Sequence, residues 1–207
     1  ITTADFDTNN PNIVINYTSS DGGTSVKNVK LFDSSDNLLA TSTTGSFNYA
    51  ITGGDGEYCF YTLAEDIADD GLLDGAMGNV QSTPSDKCDL KVTLDETAPA
   101  VGEVKFMMDF NPYLRGNGFI AHANVSDGFS GINGSTCEFT FDGGSTWEVG
   151  SYVGGKCTIA KSTPDNTLLN VNVKVSDNFG NVGMGVAKLR TSDRLDPVSA
   201  VEIDSVY

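Results

Sequence analysis

The sequence predicts an all-β chain of two tandem sandwich domains, and three observations carry that prediction. Helical periodicity is nearly absent; the one stretch with the spacing of a helical turn is Leu72 to Met77. Short alternating apolar segments bounded by Gly, Asn and Asp recur through the 207 residues, which is how sandwich strands and their turns read. The two halves also repeat one another in order.

In the first half the alternation places strands near Ile13–Thr18, Val26–Phe32, Leu38–Thr43, Ser46–Ile51, Tyr58–Ala64 and Cys88–Leu94. In the second half it places them near Val101–Phe110, Gly118–Val125, Cys137–Phe141, Trp147–Val153, Lys156–Ala160, Leu168–Val175 and Val182–Arg190. The segment from Ile13 followed by Asp21-Gly-Gly matches that from Ala121 followed by Asp127-Gly, and Leu31-Phe-Asp-Ser-Ser-Asp matches Thr140-Phe-Asp-Gly-Gly-Ser. The turns at Asp66 and Asp177 correspond next. The stretches around Pro99 and Pro197, 98 residues apart (99 to 197), read as linkers, because proline stiffens a connection without joining a ladder. Domain one is therefore expected over 1–96, domain two over 97–195, and a linker with a terminal strand over 196–207.

The run GEYCFYTLAED, then GN, then TLDETAPAV resembles the tandem immunoglobulin-like repeats of prokaryotic cell-surface proteins, which carry a similar penultimate strand, turn and inter-domain linker. FTFDGGSTW, Phe139 to Trp147, resembles a hairpin of the same repeats. The resemblance spans nearly the whole chain. It implies two tandem Ig-like β-sandwiches with an orphan strand at the C-terminus, and a structural or adhesive role in a surface filament, pilus, S-layer or stalk. It does not account for the cysteines or for a nine-residue acidic insert at 69–77.

Composition narrows the partners. Twelve Lys and Arg stand against 28 Asp and Glu, a net charge of −16. Nucleic acid and anionic membrane surfaces both require a basic face, so neither is expected, and no apolar run is long enough to span a bilayer. Four cysteines without a Cys-x-x-Cys spacing, in a chain with one His, fit an exported disulfide protein rather than a metal site. Of the three pairings, bonding within domains gives Cys59–Cys88 and Cys137–Cys157. The expected location is extracellular or at the cell surface. The expected partners are copies of the chain itself, with host or glycan surfaces as further candidates.

The insert gathers Asp66, Asp69, Asp70 and Asp74 around Gly71 and Gly75. Clustered carboxylates are the donors Ca²⁺ takes, although Ala68 and Met77 break the EF-hand spacing. A solvated acidic turn is the competing reading. No cofactor is required, and calcium is the one candidate ion. Asp142 with Gly143 and Gly144 forms a box-like turn, and Trp147 behind it raises an alternative role as a carbohydrate-binding accessory module of a secreted hydrolase. His122 lies in an alternating strand without a nucleophile elbow or a zinc-ligand set around it, so no catalysis is expected. Three sequons, at Asn16, Asn124 and Asn133, are candidate N-glycan acceptors. Val198, Val201, Ile203 and Val206 alternate like a first strand with no domain behind it. They read either as a strand donated to a neighbouring copy, whose own first strand is short and poor, or as the start of a further repeat.

Overall fold

The computed structural model describes residues 1–23, 25–67, 79–107, 109–110, 113–114 and 118–192, without the side chains at 109–110 and 113–114. The helical turn expected at 72–77 lies outside these residues, as do 193–207. The architecture is all-β, and the chain divides into two compact units, Ile1–Thr97 and Ala98–Tyr207.

Unit 1 runs β1 (Phe6–Thr8), β2 (Asn12–Asn16), β3 (Val26–Asp33), β4 (Leu38–Ser42), β5 (Ser46–Ala50), β6 (Gly56–Asp66) and β7 (Leu90–Leu94). One sheet has the order β1-β7-β6-β3-β4, and the other pairs β2 with β5. The period-two pattern aims Ile13 and Ile15 inward while Asn12, Val14 and Asn16 face solvent. With Tyr17, Phe47 and Ile51 they pack against Val29, Leu31, Phe60, Leu90, Val92 and Leu94 of the larger sheet. Each such buried side chain contributes about 1.5–3 kcal/mol of transfer free energy.

The first strand of unit 1 is short, as expected, at three residues, but it is paired. β1 lies parallel to β7, Phe6 opposite Val92 and Thr8 opposite Leu94, and Phe6 packs on the core. Upstream, Thr2 N donates to Asn16 O at 2.9 Å and Asn16 N to Thr3 Oγ1 at 2.8 Å. The opening segment thus crosses from one sheet to the other. Its exact place could not be read from alternation, because Ile1 to Thr8 carries too few apolar residues to show a period.

Unit 2 runs β8 (Ala100–Val101), β9 (Lys105–Met107), β10 (Asp109–Phe110), β11 (Tyr113–Leu114), β12 (Phe119–Ser126), a 3-10 turn (Gly134–Thr136), β13 (Glu138–Thr140), β14 (Glu148–Val149), β15 (Ser151–Val153), β16 (Lys156–Lys161), β17 (Leu168–Ser176), β18 (Val182–Met184) and β19 (Lys188–Ser192). One sheet has the order β10-β11-β19-β17-β13-β14, with β18 also on β17; the other has β15-β16-β12-β8, with β9 also on β12. Its core is Phe106, Phe119, Phe139 and Phe141 among Val104, Leu169, Val171, Val173 and Val175.

Three strands expected to be continuous are divided. Val101–Phe110 breaks into β8, β9 and β10, and the chain then returns as β11, parallel to β19. Trp147–Val153 breaks at Gly150: β14 pairs β13 in one sheet and β15 pairs β16 in the other. A Cβ on Gly150 would lie 2.6 Å from Thr158 O and 3.0 Å from the Phe139 ring, so the crossover needs glycine. Val182–Arg190 divides into β18 and β19 around Gly185, whose N–H donates to Val173 O at 2.9 Å.

Candidate functional site

The turns hold most of the chemistry-bearing side chains, and three of them share one geometry. After β3, Asp33 N donates to Asn37 O at 3.2 Å, Asn37 N to Asp33 Oδ1 at 2.9 Å, and Asn37 Nδ2 to Asp33 Oδ2 at 2.8 Å. After β17, Asp177 and Asn181 repeat the three bonds at 3.1, 2.9 and 2.7 Å. At the neck of the acidic insert Asp66 and Asn79 repeat them again, at 3.1, 2.8 and 3.1 Å. In both tight versions the residue before the Asn is left-handed, Asp36 with φ 68° and Gly180 with φ 94°. Such conformations favour Gly and tolerate Asp and Asn.

This Asp–Asn clasp was missed by sequence reasoning, which paired Asp66 with Asp177 without seeing why each needs its Asn. The signal was present as Asp-x-x-x-Asn at both 33–37 and 177–181. Asp142 makes a hydroxyl version. Its Oδ1 accepts from Thr146 N at 2.9 Å and from Thr140 Oγ1 at 2.8 Å, while Oδ2 accepts from Thr146 Oγ1 at 2.7 Å. The hydrogen bond from the Asn37 side chain holds the Asp33 carboxyl below its ordinary range. That from the Thr146 hydroxyl does the same, more strongly, for Asp142. Carboxylates fixed in the ionised form by donors are turn anchors, not proton donors.

The insert therefore springs from a closed neck. Beyond the clasp, Glu65 bridges Val80, Gln81 N donates to Ala64 O at 2.9 Å, and Ile67 N donates to Ser25 O at 3.0 Å. Asp66 serves the neck with both carboxylate oxygens; Asp69, Asp70 and Asp74 lie outside the described residues. Cys59 on β6 bonds Cys88 ahead of β7, and Cys137 bonds Cys157, each pair within one unit. Cys137 and Cys157 are fully buried. Below the neck Glu65 is nearly buried, with Lys27 Nζ and Lys30 Nζ each 2.8 Å from its carboxylate. The hydrogen bond from Lys27, then that from Lys30, pulls its pKa down to about 2.

The remaining sequence candidates separate in space. Trp147 is half-buried, and Lys174 Nζ stands 4.3 Å from the centre of its ring while bridging Glu138 at 2.8 Å. That ring face is taken by a cation, which gives Trp147 a structural partner within its own unit. His122 sits on β12 opposite Thr158 and Lys105. Burial first, then Lys156 and Lys105, keeps its pKa below the ordinary value. Asn16 and Asn124 are exposed, whereas Asn133 caps the 3-10 turn. Val198, Val201, Ile203 and Val206 lie outside the described residues. Among the described residues no helix is long and apolar enough to cross a membrane.

No protein-family model matches the sequence, and no curated protein does. Among solved structures, fibronectin(III)-like modules of Clostridium thermocellum CbhA are similar at 18% identity over 96% of this chain and 95% of theirs, with a TM-score of 0.40. A DUF3823 family protein from Bacteroides ovatus is similar at 12% identity over 87% of this chain and 98% of its own, with a TM-score of 0.35. Likenesses this loose leave what the chain does to its own residues.

Proposed function

We propose that the chain is a non-catalytic extracellular structural and adhesive protein, a subunit of a surface filament, S-layer or stalk built from sandwich modules in series. The observation that carries this reading is how the turn carboxylates are spent. Asp33, Asp66, Asp142 and Asp177 each accept hydrogen bonds from their own turn, and each unit holds its own disulfide. The polar side chains brace the modules, as a protein that must persist outside the cell requires. An assembly of identical acidic subunits would use neutral or apolar faces for its contacts, since like charges repel at close range.

Strand donation from Val198 to Val206 of one copy into unit 1 of the next would have to take the place of β1 on β7, and β1 is only three residues long. Labelling intact cells with antibody to the folded chain tests the location. Label in regular surface arrays supports the reading, and label confined to the cell interior overturns it.

A further inference from the structure

Two of the three sequons occupy matching and structurally unexplained positions. In unit 1 Asn16 closes β2 on the solvent face, Tyr17 turns into the core at 7% exposure, and Thr18 faces out again. In unit 2 Asn124 lies on β12 facing solvent, Val125 turns inward at 5% exposure, and Ser126 faces out. The buried middle residue fixes the register, so carboxamide and hydroxyl project from one face two residues apart.

Asparagine is depleted in strands, because its side chain competes for backbone hydrogen bonds and packs poorly on a pleated surface. Among the described residues neither the Asn16 nor the Asn124 carboxamide has a hydrogen-bond partner. Their contacts run through the backbone: Asn16 N to Thr3 Oγ1, and Gly102 N to Asn124 O at 2.8 Å. Asn133 contrasts with both. It is half-buried, and its Oδ1 accepts from Ser135 Oγ at 2.7 Å and Ser135 N at 3.3 Å as the cap of the 3-10 turn. The fold explains Asn133 and leaves Asn16 and Asn124 unexplained.

We infer that Asn16 and Asn124 carry N-linked glycans, one on the outer face of each unit, and that Asn133 does not. The donor is an oligosaccharide on a polyprenyl phosphate or diphosphate carrier. The carboxamide Nδ2 forms a bond to the anomeric carbon, the bond from that carbon to the carrier's phosphate oxygen breaks, one amide proton passes to a base, and the carrier phosphate is released. A glycan at either position displaces no hydrogen bond and projects into solvent. The inference needs export but not assembly, so its failure would leave the proposed function standing.

Intact-mass and peptide mass spectrometry of the protein isolated from the organism that makes it tests this. The expected result is glycan mass on the peptides bearing Asn16 and Asn124. N16Q and N124Q should each remove one glycan, and N133Q none. Melting curves of unglycosylated N16Q and N124Q should overlay that of the unglycosylated parent, showing that any mass change is not a folding defect. Unmodified peptides at Asn16 and Asn124, or glycan on the Asn133 peptide, overturn the inference.

Discussion

The turn after β6 and the turn after β17 are closed by the same three hydrogen bonds, yet one spans thirteen residues from Asp66 to Asn79 and the other four from Asp177 to Asn181. The difference is the nine-residue acidic insert. What the pair teaches is where an insertion can be tolerated. The clasp closes the neck on the sheet side, so the chain beyond it lengthens without changing the ladder, and loop-closure entropy grows only with the logarithm of length. Burial separates the two turns further. Asp177 is 1% exposed, whereas Asp66 is partly open to solvent. Identical bonds should therefore differ in what they contribute.

The largest way to break the comparison is to remove a staple. The Cys59–Cys88 bond closes 29 residues and encloses the insert; Cys137–Cys157 closes 20 and leaves its unit's clasp outside. Replacing either pair with alanine should lower the stability of its unit by about 3–4 kcal/mol on loop-closure grounds. For a domain with about twice that in total, it should shift melting by well over ten degrees. The chain has one tryptophan, Trp147, and it lies in unit 2. Its fluorescence follows unit 2 alone, while circular dichroism follows both, so the two pairs can be assigned in one experiment.

Next is the clasp itself. Asp177→Ala removes the acceptor of the Phe179 and Asn181 N–H groups and of Asn181 Nδ2, and should cost about 3 kcal/mol because Asp177 is buried. Asp66→Ala should cost about 1 kcal/mol, since solvent can replace its bonds. Denaturant titration measures both, and equal losses would show that burial does not set the value of the clasp.

Excising residues 69–77 sharpens the comparison, since it leaves Asp66-Ile-Ala-Gly-Asn, the length of the Asp177 turn. The variant should fold and gain roughly 1 kcal/mol from the shorter loop. Its melting should be indifferent to calcium; if the parent's melting rises with Ca²⁺ and the variant's does not, the insert is an ion site.

The smallest effect concerns pH. Glu65 has its pKa lowered to about 2 from 4.5, first by Lys27 and then by Lys30. A depressed carboxylate pKa contributes stability that is complete above the unfolded value and is lost as pH falls toward 2. The stability gap between the parent and Glu65→Gln should therefore narrow between pH 5 and pH 2. Both lysines are partly exposed, at 51% and 32% of the side chain, so salt should shrink the gap as well.

Much of the fold was legible because the sandwich strands alternate strictly. Leu168–Ser176 and Phe119–Ser126 could be read from period alone. The sheet crossovers were not, because they depend on close approaches that only the folded chain shows. Gly150 looks like any glycine until Thr158 and Phe139 lie against it. β1 was hidden for a different reason: a three-residue parallel strand is held by its partner's backbone, not by its own apolar pattern. Of the site residues, the cysteines and the turn aspartates were visible. Asn79 was visible only through the repeat, as the counterpart of Asn181 beyond the insert, and its bonds to Asp66 were not; Lys174 over Trp147 comes from a distant position that no pattern links.

The most direct test of the central claim is negative-stain electron microscopy of the native protein, untagged and taken from the surface of the cells that make it. Regular filaments or lattices assembled from the one chain are the expected result. Scattered monomers at every concentration would contradict it.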